Sequence, residues 1–366
     1  MRLLVVKPLM PEPRFHFDRT IEISKYMEVV WLCGWMQKSN YHFEDYEAPN
    51  HKILVLGKGL RGKKFRALLN ELKFVIKSTR LMRSIKADVV LIHYHRLAFL
   101  YPLLLPKQKY ILLLFTTAVN KSMAKRIFWD SLGRLIRLPY QKFFVQTPEM
   151  ISLFGLKEDN CYVTRWGMKP ISVVKKSFTS MSLLYIGALT GRNIHETIAG
   201  LRMFLNKHQS LSVTYSIIGS GNPEYVEELK RAIKDNALEG IVTYHGYLPD
   251  NEIVSFFDQC NVGVSYVPIT PYYNDVIVTK TAEYMLSGLA TIATNTNKNR
   301  MMISDLNGVL VSDNPESFAV GLEEIYGRLE SYDSKIIVEN SQEWDMGYNI
   351  KNDIVPLLKQ IAGSKR

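Results

Sequence analysis

The sequence has little cysteine and no long uninterrupted apolar run. Its three cysteines are Cys33, Cys161 and Cys260, an odd number without C-x-x-C spacing, so neither a disulfide framework nor a zinc site is indicated. The opening residues lack the apolar core of a secretory signal. Prolines and lysines interrupt the most apolar stretch, Leu97 to Phe115, which is too broken to span a bilayer. We therefore expect a cytoplasmic protein, soluble or peripheral on the inner face of the plasma membrane.

Acidic residues are scarce in the first half of the chain. Residues 1–170 hold 29 Lys and Arg against 13 Asp and Glu, a net charge of +16, whereas the remainder carries −5. Residues 58–86 contain ten basic residues and only Glu71 as an acidic one. Residues 121–142 again mix basic with aromatic and aliphatic side chains. Both stretches favour an anionic membrane surface, with solvated outer helices as the alternative.

Short apolar runs alternate with segments of helical periodicity along the whole chain. The first set of predicted strands is Leu3–Val6, Ile53–Leu56, Val89–His93, Tyr110–Phe115, Phe143–Gln146 and Tyr162–Thr164. The second set is Leu183–Ile186, Val213–Ile218, Val242–His245, Val262–Tyr266, Ala290–Ala293 and Gly308–Val311. Two such sets predict an α/β protein of two Rossmann-like parallel-sheet domains with a cleft between them.

Two glycine-containing turns follow strands of the second set. Gly187 ends a strand, and a short loop then leads to Arg192 at the start of a helix, where a cation and a helix N-terminus could bind an anion. An ordinary strand-to-helix turn is the alternative. Gly219 and Gly221 end the next strand, and a lone G-x-G of this kind more often marks a tight turn.

Two carboxylates lie eight residues apart in the segment YNDVIVTKTAEYMLSG. If residues 278–287 are helical, Glu283 lies in the second turn of that helix and Asp275 in the loop before it. Both side chains could then reach one ligand at the helix N-terminus, where carboxylates would accept hydrogen bonds from sugar hydroxyls. The alternative is that Glu283 faces solvent.

An ordered set of segments resembles the second domain of the retaining GT-B glycosyltransferases of family four, the glycosyl transferases group 1 proteins. The segments are LYIGALTGRN, IIGSGN, VTYHGYLPDNEI, VSYVP, KTAEYMLSGLATIAT and NGVLV, and they match in order and spacing from Leu183 to Leu322. The resemblance implies a GT-B fold. We expect a first domain over residues 1–172, a donor-binding domain over 181–342, and a closing helix over 343–366 that crosses back to the first domain.

The resemblance also implies roles for individual residues. Glu283 would bind the donor ribose, and Asp275 would contact the transferred sugar. Arg192 would replace a phosphate-binding lysine, in a loop that is one residue shorter than in the family. A family arginine corresponds to Ala188, so Lys280 is expected to supply the missing charge. The remaining donor contacts implied are Gly187, Gly219 and Gly221, with Gly246 and Tyr247 beside the nucleotide base.

The first domain departs more from the family. A glycine-rich loop after the first strand is absent, and Thr116 or Thr117 stands where many members place a histidine. His93 and His95 end the preceding strand, and we take His95 as a catalytic candidate beside Asp275, Glu283 and Arg192. A structural role is the alternative for either histidine.

The expected activity is transfer of a sugar from a nucleotide-diphosphate-sugar donor to a glycan or lipid-linked acceptor, with retention of the anomeric configuration. Polysaccharide or glycolipid biosynthesis of bacterial type is the expected setting. The sugar nucleotide is a co-substrate, no cofactor is bound permanently, and no D-x-D motif indicates a metal. Two alternatives stay open: a sugar-nucleotide epimerase on the same fold, and a nucleic-acid-binding protein that uses the basic half. No helix-turn-helix or zinc signature supports the second, so no nucleic-acid partner is expected.

Overall fold

A computed structural model describes residues 1–8, 13–34, 46–57, 64–114, 131–274 and 276–364. The chain divides into two compact units. The first unit combines Met1–Trp166 with Asn349–Arg366, and the second is Gly167–Tyr348. The first unit is therefore built from two separate segments of the chain, with the second unit inserted between them.

The first unit contains a parallel sheet of seven strands in the order β3-β2-β1-β4-β5-β6-β7. The strands are β1 (Arg2–Lys7), β2 (Glu28–Cys33), β3 (His51–Val55), β4 (Val89–His93), β5 (Tyr110–Leu114), β6 (Phe143–Val145) and β7 (Cys161–Val163). Every residue of β4 and β5 is buried. These sequences, VVLIH and YILLL, are continuously apolar because helices cover both faces of a parallel sheet.

One strand of this sheet was not predicted from the sequence. β2 has the apolar sequence EVVWLC and pairs in parallel with both β1 and β3. It follows α1 after a turn at Lys25 and Tyr26 that contains neither glycine nor proline. Without these breaking residues, the apolar run could not be separated from the helix before it.

The helices of the first unit are α1 (Pro13–Ser24), α2 (Lys64–Ser84), α3 (Leu100–Leu104) and α4 (Glu149–Leu153). Residues 131–137 are also helical. In α2, Phe74, Val75 and Met82 face the core. Residues 121–130 of the second basic stretch lie outside the described residues, and in its described part Ile136 and Arg137 are buried whereas Arg134 is exposed. The guanidinium of Arg137 donates to the Gly133 carbonyl and cannot face a partner.

The second unit contains six parallel strands in the order β10-β9-β8-β11-β12-β13. They are β8 (Met181–Ile186), β9 (Val213–Ile218), β10 (Val242–Tyr244), β11 (Val262–Ser265), β12 (Ala290–Thr294) and β13 (Gly308–Val311). Its helices are α5 (Ile194–Lys207), α6 (Pro223–Asp235), α7 (Asp250–Gln259), α8 (Pro271–Asn274), α9 (Thr279–Leu286), α10 (Asn297–Arg300), α11 (Pro315–Gly327) and α12 (Ser334–Asn340). Both sheets thus have the Rossmann order, which confirms the predicted fold class.

The chain passes from the first unit to the second after Trp166 and returns after Tyr348. Within the second unit, the residues next to these two points are hydrogen-bonded to each other. Met168 donates its backbone N–H to Trp344, and Met346 donates to Met168. Gly167 has φ of 65°, and a Cβ there would lie 2.6 Å from backbone atoms of Asp345 and Met346. A glycine therefore permits this close approach.

The last residues complete the first unit. α13 (Met346–Asn349) leads through a π-helical segment, Ile350–Ile354, into α14 (Val355–Gly363). The Lys109 ammonium donates to the carbonyls of Ala362 and Ser364, which fastens this end to the turn before β5. Within the described ranges, no helix is both long and apolar enough to cross a membrane.

Candidate functional site

A cavity of about 160 Å³ opens in the second unit beside the ends of β8 and β11. These strands are neighbours at the centre of the sheet, where the strand order reverses. Loops that leave such neighbouring strands in opposite directions create the crevice in which ligands of these sheets bind. The walls are the loop after β8, the end of β11 with the residues that follow it, and residues 276–280.

The loop after β8 brings Gly187 and Arg192, both candidates from the sequence, to the cavity. The Tyr185 hydroxyl donates to the Ala188 carbonyl at 2.7 Å, which holds the start of the loop. Gly191 and Asn193 have positive φ values of 66° and 54° on either side of Arg192. α5 begins at Ile194, two residues after Arg192, so its free N–H groups follow Arg192 closely in the chain.

Arg192 is held by an aromatic ring and not by a carboxylate. Its guanidinium carbon lies 4.4 Å from the centre of the Tyr273 ring, a distance typical of a cation–π contact. Among the described residues no carboxylate pairs with it. The positive charge is therefore fixed in position while its hydrogen-bond donors stay available to an anion in the cavity.

Gly219 and Gly221, which the sequence predicts as donor contacts, lie in the turn after β9. Neither lines the cavity. A Cβ on Gly219 would lie 1.8 Å from the Gly187 carbonyl oxygen, and one on Gly221 would lie 2.9 Å from the Leu189 side chain. The Leu189 N–H also donates to the Ser220 carbonyl at 2.9 Å. In this structure the two glycines let the turn after β9 support the loop that carries Arg192.

Glu283 and Lys280 lie one turn apart on α9 and bind each other. The Lys280 ammonium donates to Glu283 Oε2 at 2.5 Å, and the two side chains are 31% and 18% exposed. Glu283 is therefore half-buried and paired, unlike a carboxylate that merely faces solvent. Lys280 lines the cavity, whereas Asp275 lies outside the described residues. The charge of Lys280 is already shared with Glu283, which leaves Arg192 as the better anion ligand.

Two tyrosines that the sequence did not single out shape this region. Tyr266 lines the cavity, and its hydroxyl donates to Glu196 at 2.5 Å. Burial and this glutamate raise the pKa of Tyr266 above its usual range, so it stays neutral. Tyr284 accepts the Ile186 N–H at 2.8 Å and packs on β11, where a Cβ on Gly263 would lie 2.3 Å from its ring. α9 is thereby fastened to the strands that form the cavity.

The remaining predicted base contacts lie beside the turn after β9. Gly246 has φ of 71° and accepts the Gly219 N–H at 2.8 Å, while Tyr247 is largely exposed. Neither lines the cavity. In the part of the chain that the structure describes, no group of three His, Cys, Asp or Glu side chains could hold a metal ion.

His95 belongs to the first unit, in the loop after β4. Its Nδ1 lies 2.8 Å from Oε1 of Glu71, a buried residue of α2, while Arg96 binds the other oxygen of the same carboxylate. Burial lowers the pKa of His95 and outweighs the glutamate, so the ring is neutral near pH 7. Burial raises the pKa of Glu71, but His95 and Arg96 outweigh it and hold it below the usual range. These contacts tie the loop to α2, and they support the structural alternative for His95. His93 is buried as well.

The residues of the cavity fall within one recognised sequence family. Residues 181–328 match the sequence model of the family Glycosyl transferases group 1. The match covers most of the second unit and none of the first. The match confirms the resemblance to the glycosyl transferases group 1 proteins over these residues, and the chain is a glycosyltransferase.

Solved structures show that the whole chain has the GT-B fold. A glycosyltransferase from Rickettsia africae has a TM-score of 0.73 at 14% identity, with 100% of this chain and 99% of the other covered. HepE of Anabaena, in complex with UDP and glucose, has a TM-score of 0.67 at 14% identity, with 98% and 99% covered. Sucrose-phosphate synthase from Thermosynechococcus elongatus has a TM-score of 0.65 at 13% identity, with 99% of each chain covered. No curated protein matches the sequence.

Proposed function

We propose that this glycosyltransferase takes its sugar from a nucleotide-diphosphate donor bound at the cavity of the second unit. The observation that carries the proposal is the position of Arg192, stacked on Tyr273 at 4.4 Å beside the N-terminus of α5. A fixed cation and a helix N-terminus are together suited to a diphosphate. HepE, whose fold is similar, has been solved with UDP and glucose, which agrees with a donor of this class.

In the proposed reaction the bond between the anomeric carbon and the diphosphate oxygen breaks. An acceptor hydroxyl forms the new bond to that carbon, and its proton passes to solvent water. The diphosphate leaves with additional negative charge. Arg192 and the N–H groups that open α5 would stabilise that charge where it develops. We propose that the transfer needs no permanently bound cofactor. We also propose that it needs no metal, because Arg192 supplies the positive charge.

Glu283 is proposed to accept hydrogen bonds from the ribose hydroxyls. A carboxylate has lone pairs for more than one donor, so Glu283 can keep its bond to Lys280 and still bind a hydroxyl. Lys280 would then orient the carboxylate. Asp275 is proposed to contact the transferred sugar, in accordance with its position in the motif.

Retention of anomeric configuration, a glycan or lipid-linked acceptor, and a place in polysaccharide or glycolipid synthesis complete the proposal. The basic first half, with net charge +16 over residues 1–170, supports a peripheral position on an anionic membrane, at the inner face of the plasma membrane. A nucleic acid is not proposed as a partner.

The test is a thermal-shift panel of nucleotide sugars on the wild type, Arg192→Ala and Arg192→Lys, followed by product analysis. We expect one donor to stabilise the wild type with and without EDTA. Arg192→Lys should retain more turnover than Arg192→Ala, because the positive charge matters more here than the planar arrangement of N–H donors in the guanidinium. Equal turnover of Arg192→Ala and wild type would contradict the diphosphate role. Conversion of the donor to its epimer without an acceptor would instead identify an epimerase.

A further inference from the structure

The outer face of α2 is unusual for a helix that covers a sheet. Leu69, Leu72 and Ile76 follow one another at steps of three and four residues, so they share one face of the helix. Their side chains are 42%, 39% and 42% exposed. The opposite face already supplies the core contacts through Phe74, Val75 and Met82, so packing among the described residues of the unit does not account for this aliphatic stripe.

Basic residues lie on the same exposed face. Lys73, Arg80 and Arg83 continue the spacing of three and four from the stripe, and all three are exposed. No carboxylate in the described ranges pairs with them. The one acidic residue of α2, Glu71, is buried and bound to His95 and Arg96, so it does not reduce the charge of this face.

We infer that the outer face of α2 docks on an anionic phospholipid bilayer by inserting Leu69, Leu72 and Ile76 while Lys73, Arg80 and Arg83 bind the headgroups. An aliphatic stripe bordered by cations matches the two layers of a membrane surface, where apolar chains lie below charged phosphates. A nucleic-acid backbone would use the cations but leaves the leucines in water. The inference deepens the membrane part of the proposed function and rests on it.

The cations and the aliphatic stripe act through different forces, so the salt dependence of vesicle binding distinguishes their contributions. Headgroup attraction is screened at high ionic strength, whereas burial of leucine is not. Loss of three cations should lower vesicle partitioning about a hundredfold at low salt, at about 1 kcal/mol each. Replacement of the stripe by serine should lower partitioning about a hundredfold at low salt, because about 40% of each side chain is open to burial, and should remove what remains at high salt.

The experiment is flotation of the full chain with vesicles of zwitterionic lipid containing increasing anionic lipid, at low and high salt. The variants are Leu69→Ser/Leu72→Ser/Ile76→Ser and Lys73→Ser/Arg80→Ser/Arg83→Ser. Matched controls in the second unit are Met301→Ser/Leu306→Ser/Val320→Ser for exposed apolar residues and Lys230→Ser/Arg231→Ser/Lys234→Ser for α6. Both controls should float like the wild type.

Donor turnover with a soluble acceptor is measured on the same samples, and the α2 variants should retain it and their thermal stability. If turnover is normal but the α2 variants float like the wild type, the inference is wrong and the donor function stands. If no donor is turned over but flotation follows α2, the donor function fails and the docking surface stands. Tighter binding of the wild type to duplex DNA or RNA than to anionic vesicles, lost in the cation variant, would overturn the inference in favour of a nucleic acid.

Discussion

The two units have the same strand order but hold the cations of their strand-end loops differently. In the first unit, the loop after β4 is tied to α2 by the buried Glu71 carboxylate, which binds His95 and Arg96. In the second unit, a cavity opens beside β8 and β11, and its cation, Arg192 in the loop after β8, is held by the ring of Tyr273, which follows β11. A carboxylate partner neutralises a cation, whereas a tyrosine ring positions it and leaves its charge available. The fold places a cation in a loop at the end of a strand, and the partner of that cation decides whether the cation can bind a ligand.

The largest effect is expected from Gly219→Ala. The new Cβ would lie 1.8 Å from the Gly187 carbonyl oxygen at a φ of 151°, so the turn after β9 or the Arg192 loop must shift. We expect a loss of roughly 3 kcal/mol in the stability of the second unit, with little change in the first. Urea unfolding with a probe in each unit measures this. Gly240→Ala, where nothing lies within 4 Å of a new Cβ, should be near neutral.

Glu283→Ala tests whether the paired carboxylate binds a ligand or only Lys280. A lost hydrogen bond between a charged group and a ligand costs about 1.5–3 kcal/mol, which corresponds to a fall in donor affinity of roughly ten- to a hundredfold. Calorimetric titration with the donor and initial rates measure the effect. Glu339→Ala removes a mostly exposed carboxylate that pairs with Lys335 and serves as the control. Unchanged binding and turnover in Glu283→Ala would leave Glu283 with a purely structural role.

Acid should weaken the first unit through His51. Burial lowers the pKa of this histidine to about 4. The unfolded chain has a histidine pKa near 6.5, so only the unfolded state gains the proton between pH 6.5 and 4. Stability is therefore complete above pH 6.5 and falls as pH decreases through this window, by about 2 kcal/mol at pH 5.

Urea midpoints of the first unit at pH 7 and pH 5 measure this loss. His51→Gln should be less stable at pH 7, because Nδ1 no longer binds the Tyr46 carbonyl, but it should show a smaller difference between the two pH values. His208→Gln in the second unit, where the histidine binds Glu323, should keep the full acid sensitivity of the first unit. An equal loss in His51→Gln and wild type would assign the acid effect to other groups.

The smallest effect is expected from Tyr273→Leu, which removes the ring beneath Arg192. A cation–π contact of a partly exposed group contributes about 0.5–1 kcal/mol, so the donor KM should rise a few-fold while the fold is unchanged. Tyr272→Leu alters a neighbouring wall residue that does not stack on Arg192, and its KM should change less. If both variants behave alike, the ring contributes only surface to the cavity.

The second unit was more accessible to sequence reasoning than the first. Its six predicted strands lie where the structure has them, because short apolar runs are separated by turns such as Gly219–Pro223 and by clear helical periods. In the first unit β2 escaped prediction, since no glycine or proline separates it from α1.

Contacts between distant residues limited prediction of the site. Arg192 was predicted at the anion site from the sequence. Its contact with Tyr273 was not predicted, because it joins residues on different elements and sequence periodicity does not indicate such pairs. The bond between Lys280 and Glu283 could have been predicted from the sequence, because residues three apart on a helix are neighbours. Gly219 and Gly221 were predicted as donor contacts from a motif, and the distances show in addition that they support the Arg192 loop.

The insertion of the second unit has a consequence for biosynthesis. A ribosome releases residues 167–348 before residues 349–364, and α14 with its partner Lys109 belongs to the first unit. The second unit can therefore complete its sheet while the first still lacks its last helix. A nascent chain stopped after Tyr348 should protect the second unit from protease and leave the first susceptible, so the order of completion is the reverse of the order in which the two units begin.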